Sequence, residues 1–99
     1  MKFKFPPEAL EDYKQAVTYY AQRGSPLALR FVEAVEDAIL RVTEAPQRCR
    51  VVKDDVRRCL TRVFPYGILY TTEDDFVLIV AVMHCSRKPG YWLQRVTER

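Results

Sequence analysis

The sequence predicts an α+β fold: a strand, an antiparallel helix hairpin, then a three-strand antiparallel meander (β-α-α-β-β-β), with both helices on one sheet face. Three observations predict it. Two apolar stripes of helical period lie on either side of Gly24-Ser25. From Cys49 onward the period falls to two, with Val, Thr and Phe enriched. The longest apolar run, Phe76 to Met83, has eight residues, the length of a central strand.

Lys2-Phe3-Lys4-Phe5 alternates polar and apolar residues, as a half-buried strand does. Pro6-Pro7 ends it, and Pro7 fits the first turn of a helix, where a missing N–H costs little. Glu8, Glu11 and Asp12 gather near that helix start, where the dipole favours acids. Leu10, Tyr13, Val17 and Tyr20 form its apolar stripe, with Ala9, Ala16 and Ala21 alongside, and Gly24 stops it.

Ser25 reads as the cap of a second helix and Pro26 as its first residue. Ala28, Phe31, Val32, Val35, Ala38, Ile39 and Val42 make its stripe, and Pro46 bounds it. A connection of about two residues forces the helices antiparallel. The meander follows as Arg57–Phe64, Ile68–Thr72 and Phe76–His84, broken at Pro65-Tyr66-Gly67 and at Glu73-Asp74-Asp75. Residues 1–99 therefore read as a single domain.

Composition narrows the function classes. Apolar residues make up 48% and charged residues 29%, which excludes a disordered chain. No run approaches the roughly 20 apolar residues of a membrane helix, and no secretory h-region is visible. A soluble cytoplasmic protein without a membrane partner is expected. Cys49, Cys59 and Cys85 are odd in number and irregular in spacing, so reduced thiols are expected. With one histidine and no CxxC, no metal site and no cofactor is expected.

Net charge is +3, unevenly spread. Residues 1–45 hold 6 Lys/Arg and 7 Asp/Glu, a balance of −1, and residues 46–99 hold 10 and 6, a balance of +4. A basic excess in the sheet half suits RNA or an acidic protein partner.

The candidate chemistry sits after the last strand. His84-Cys85-Ser86-Arg87-Lys88-Pro89-Gly90-Tyr91-Trp92-Leu93-Gln94-Arg95 gathers a titratable ring, cations and aromatics. Pro89-Gly90 is expected to turn the chain and fold Tyr91 and Trp92 back onto the sheet end. Cleavage of RNA by a ribose 2′-hydroxyl needs a base, a cation on the phosphorane and an acid. His84, Arg87 and Tyr91 are the candidate catalytic set, with Arg57, Arg58, Arg62 and Arg95 as candidate target- or RNA-binding residues. A plainer reading stands beside it. His84 is then a hydrogen-bonded strand end, Tyr91 and Trp92 lock the C-terminus, and Arg87 and Arg95 pair with acids. Cys85 beside His84 is a poor nucleophile–base pair, because neighbours on a strand point to opposite faces.

Over about residues 3–95 the chain resembles the RelE/ParE toxins, and more closely the ParE-like members known as plasmid stabilisation proteins. The resemblance rests on the helix hairpin with Arg30-Phe31 and Pro46, and on Arg57-Arg58 followed by Arg62-Val63-Phe64-Pro65-Tyr66-Gly67-Ile68-Leu69-Tyr70. It ends on Ala81-Val82-Met83-His84, Arg87, Pro89, Tyr91-Trp92 and Arg95. It implies the toxin of a type II toxin–antitoxin module, neutralised by a cognate antitoxin protein. The ParE-like branch implies action on DNA gyrase without cleavage by the toxin itself. The RelE-like alternative implies endoribonuclease action on messenger RNA at the ribosome, through His84, Arg87 and Tyr91. A third expectation is an inactive antitoxin-binding module. Asp54-Asp55 after Lys53 would repel an RNA phosphate, and Trp92 and the Phe64-Pro65-Tyr66 hairpin favour the ParE-like branch.

Overall fold

The computed structural model describes residues 1–88 and 90–97. Strand β1 (Lys2–Lys4) leads into helices α1 (Pro7–Ala21) and α2 (Ser25–Glu44). Strands β2 (Arg50–Lys53), β3 (Val56–Leu60), β4 (Tyr66–Thr72) and β5 (Phe76–His84) follow, then a short helix α3 (Leu93–Thr97). The sheet order is β1-β5-β4-β3-β2. β1 runs parallel to β5, and every other pairing is antiparallel. The α+β class and the helix hairpin match the sequence reading, and β5 lies inside the sheet, paired on both sides over Phe76–Leu78.

The helix hairpin closes as its sequence dictates. Gly24 adopts φ 134°, which a Cβ disfavours, and its carbonyl accepts from Leu27 and Ala28 N–H at 3.1 and 3.2 Å. Gly24, rather than Ser25, therefore caps α2, and no side chain serves as the cap. α2 buries Ala28, Phe31, Val35, Ala38, Ile39 and Val42 against Ile68, Tyr70, Val77, Ile79 and Val82 of the sheet. Phe31 is the hub, with ring centroids of Tyr20, Tyr66 and Phe64 at 4.8, 4.9 and 5.3 Å.

The strands also depart from the sequence reading, and β1, expected to be half-buried, is exposed at all three residues. The meander has a fourth strand, β2, paired with β3 around a hairpin at Asp54-Asp55, where Asp54 has φ 51°. All four β2 residues are exposed on the sheet edge, so no burial alternation marks the strand. Asp54-Asp55, read as a pair of repelling acids, supplies turn residues, and Asp tolerates the left-handed region better than most. The strand expected over Arg57–Phe64 stops at Leu60. There Thr61 Oγ1 donates to Phe64 O at 2.8 Å, Thr61 N–H bonds Tyr66 O at 2.9 Å, and Val63 turns the chain at φ 74°.

The opposite sheet face is covered differently. Trp92, ahead of α3, packs on Val56, Leu69, Val80, Ala81 and Met83, with Tyr91, Leu93 and Val96 beside it. The register of β4 on β5 shifts between Leu69, opposite Ala81, and Tyr70, opposite Ile79. Val80 is thus an extra residue, a β-bulge in the central strand.

Truncating the hub tests the aromatic core. Phe31→Ala should cost about 3–5 kcal/mol, read as a lowered urea midpoint. The core also predicts alkaline sensitivity. Burial, and next the hydrogen bond from Cys49, push the Cys59 thiol from 9.0 up to about 12. Burial likewise raises Tyr13, Tyr20, Tyr66 and Tyr70 above 10.0. A raised acid keeps its proton in the fold after the unfolded chain has lost it. The contribution is whole below the unfolded value and lost as pH rises through the folded one. Thermal midpoints should therefore fall steadily between about pH 9 and pH 12, with a shallower fall in Cys59→Ala.

Candidate functional site

The C-terminal end of β5 and the turn after it meet the middle of α1. The anchor is Asp12, set between Ala9 and Ala16 on the buried side of the helix. Its Oδ2 accepts from Val82 N–H at 3.2 Å and from Arg95 Nη1 at 2.6 Å. Its Oδ1 accepts from Arg95 Nη2 and from Tyr91 Oη, each at 3.0 Å. Arg95 Nη1 also donates to Val80 O at 3.0 Å, and Arg95 Nε lies 3.6 Å from Glu8. The hydrogen bond to Asp12 raises the Arg95 pKa above its ordinary value, so the guanidinium keeps its charge.

Around this anchor lies a cleft of about 220 Å³, lined by Gln15, Tyr19, Tyr66, His84, Arg87 and Tyr91 among others. His84, Arg87 and Tyr91 are thus brought together, as the sequence reading proposed. His84 Nδ1 accepts from Ser86 N–H at 3.0 Å, with Ser86 Oγ at 2.7 Å. Because that main-chain N–H can only donate, the ring proton belongs on Nε2. Tyr66 meets the imidazole edge-on at 5.3 Å. The Arg87 guanidinium lies over the Tyr91 ring at 4.1 Å, with Arg95 at 4.9 Å.

This arrangement binds more readily than it transfers protons. The Nδ1 lone pair and the Tyr91 hydroxyl proton, a base and an acid, are already engaged. The Arg87 cation remains exposed at the cleft rim.

The other candidate cations disperse. Arg57 spends its guanidinium on the α2–β2 connection, donating from Nη1 to Cys49 O at 2.6 Å and Gln47 O at 3.1 Å, and from Nη2 to Gln47 Oε1 at 2.7 Å. Arg62, largely exposed, stands 3.8 Å from Asp37. Arg95 is closed on Asp12. Arg58 lies flat over Gly67, where a Cβ would meet its Cγ and Cδ at 3.0 Å. It lines a second groove of about 310 Å³ with Lys53, Arg87, Leu69, Met83 and Trp92. Among the described residues, no group of three or more His, Cys, Asp or Glu could hold a metal ion. None of the helices is long and apolar enough to cross a membrane, again among the described residues. The turn read at Pro89-Gly90 falls partly on Pro89, outside the described residues.

Sequence reasoning missed Asp12 and Tyr66. Asp12 had been placed with Glu8 and Glu11 as a dipole acid. Its spacing, three after Ala9 and four before Ala16, puts it on the buried face instead, the signal of a paired core charge.

Comparison with known proteins follows this geometry. A family model described as "ParE toxin of type II toxin-antitoxin system, parDE" matches residues 3–89. No curated protein sequence matches. Among solved structures, the chain is similar to one described as "Chromosomal ParDE TA system from P. aeruginosa". The TM-score is 0.73 at 15% identity, over 85% of this chain and 95% of that one. At that identity the likeness shows the fold.

The anchor separates in mutation. Asp12→Ala strands Arg95 and the Val82 N–H and should cost about 3–5 kcal/mol in urea denaturation. Tyr91→Phe removes one hydrogen bond to a charged group and should cost about 1.5–3 kcal/mol.

Proposed function

The chain belongs to the ParE toxin family of type II toxin–antitoxin systems, and from that membership we propose that it inhibits DNA gyrase without cutting nucleic acid itself. A cognate antitoxin holds it inactive in this reading. The observation that carries the non-enzymatic branch is the commitment of Tyr91 Oη to Asp12 and of His84 Nδ1 to Ser86. A general acid–base pair needs a free lone pair and a free proton within reach of substrate. Here both serve the fold, which leaves Arg87 and the surrounding rings as a contact surface for a protein target. A RelE-like endoribonuclease is the second reading, favoured by the single cleft that gathers His84, Arg87 and Tyr91. Arg58, Arg62 and Arg87 are the cations proposed to meet the target, because their guanidinium groups are the least engaged of the candidates.

Two assays on the purified chain decide between these readings. With gyrase and relaxed plasmid, supercoiling should fall and cleaved plasmid should accumulate, and the protein encoded beside the toxin should reverse both. Arg87→Ala should weaken inhibition at least about tenfold, or roughly 1.4 kcal/mol, while Tyr91→Phe changes it little. Untouched supercoiling, together with toxin-dependent cuts in ribosome-bound messenger lost in Tyr91→Phe, would establish the endoribonuclease instead. Binding of the antitoxin with neither effect would leave an inactive binding module.

A further inference from the structure

We propose that Cys49 and Cys59 form an oxidisable pair: hydrogen peroxide joins them as a cross-strand disulfide within the native fold. The register carries the case. Arg50 pairs with Arg58 and Val51 with Arg57, and extending that register one residue before β2 sets Cys49 opposite Cys59. Directly opposed residues of an antiparallel pair hold their Cα atoms about 4.5–5.5 Å apart, inside the range of about 4.4–6.8 Å that a disulfide spans. Cys49 packs against the buried cluster that holds Cys59, and all three cysteines are free.

The surroundings hold the pair in place. Tyr70 Oη donates to Pro46 O at 2.7 Å, and Arg57 donates to both Gln47 O and Cys49 O. The segment carrying Cys49 is therefore fixed against β3 and β4, and bond formation needs little backbone movement. Arg41 Nη1 donates to Cys59 Sγ at 3.4 Å, a cation placed where negative charge develops on that sulfur.

The roles divide by exposure. Cys59 is buried, whereas Cys49 is half-buried and the one of the two that meets solvent. Cys49 thiolate attacks one peroxide oxygen, and the O–O bond breaks to leave a sulfenic acid and hydroxide, which takes a proton to become water. Cys59 sulfur then attacks the Cys49 sulfur. The S–O bond breaks, and the hydroxyl leaves as water with the Cys59 proton. Two thiols are oxidised to one disulfide, and one peroxide is reduced to two waters. The bond closes a loop of about ten residues and ties the end of α2 to the sheet. The high thiol pKa of Cys59 makes its step slow, on a scale of minutes or longer.

The test uses the full chain carrying Cys85→Ser, which removes the exposed competing thiol. After hydrogen peroxide, thiol titration in denaturant and peptide mapping should show both remaining thiols lost and a link between Cys49 and Cys59. The thermal midpoint should rise by roughly 5–10 °C, return on reduction, and stay unmoved in Cys49→Ala/Cys85→Ser. Free thiols after prolonged peroxide, oxidation stopping at Cys49 sulfinate, or links only between chains would each overturn the proposal. A Cys49–Cys59 link that leaves the midpoint unchanged or lowers it would overturn it too, because the native geometry would then not accommodate the bond.

Discussion

The buried carboxylate of Asp12 is the interaction on which the two sides of the sheet depend. β1 ends at Lys4, opposite Leu78, so β5 runs on beyond its parallel neighbour. Past that point the Val80 carbonyl takes Arg95 and the Val82 N–H takes Asp12, so two main-chain groups of an uncovered strand find partners. An unpaired buried backbone group would cost about 1–3 kcal/mol. Asp12 and Arg95 together replace a missing strand with side chains, one from α1 and one from α3. This joins the helix hairpin to the C-terminal segment around the free edge of β5.

That constraint gives the late residues structural partners as well as a shared cleft. Arg95 must reach Asp12 for α3 to pack, and Tyr91 must lie beside it to complete the carboxylate. With Tyr91 fixed there, Arg87 finds its face and stacks on it. Trp92 next in the chain is delivered to the apolar outer face, where it is buried against Leu69 and Met83. The cluster is thus the outer layer of a clasp. What it offers a partner is the exposed part of that layer: the Arg87 cation, the Tyr66 and Tyr19 rings, and the rim of His84.

Legibility in the sequence followed the origin of each feature. The helices and β5 were readable because burial on one or both faces forces apolar residues into period 3.6 or into a continuous run. β5 has the same bounds in the reading and in the structure. β2 was not readable, because an exposed edge strand buries nothing and its pairing comes from the Asp54-Asp55 turn. The early end of β3 depends on Thr61 bonding across the loop to Phe64 and Tyr66, a contact with no periodic signature. At the site, proximity along the chain correctly gathered His84, Arg87 and Tyr91. It could not reveal that Tyr91 answers to an acid 79 positions earlier. The resemblance to a known family covered nearly the whole chain, yet it carried the fold further than the chemistry, since Arg57, Tyr91, Trp92 and Arg95 of its motifs are held within the fold.

The outer sheet face follows from the same asymmetry. On the inner face two helices cover the sheet, and tyrosines and phenylalanines fill the space between. On the outer face a single short helix does so, and it reaches Val56, Leu69 and Met83 but leaves β2 uncovered. Val51 and Val52 are exposed on β2, Val52 at the rim of the adjoining groove, which Lys53, Arg58 and Arg87 line with no carboxylate partner among the described residues. Chain physics alone would place acids opposite them, as it places Asp12 opposite Arg95 and Asp37 near Arg41 and Arg62. Their absence on this face, beside exposed valines, matches a surface completed by acidic and apolar groups from another molecule. It is also consistent with the antitoxin partner proposed for a member of this family.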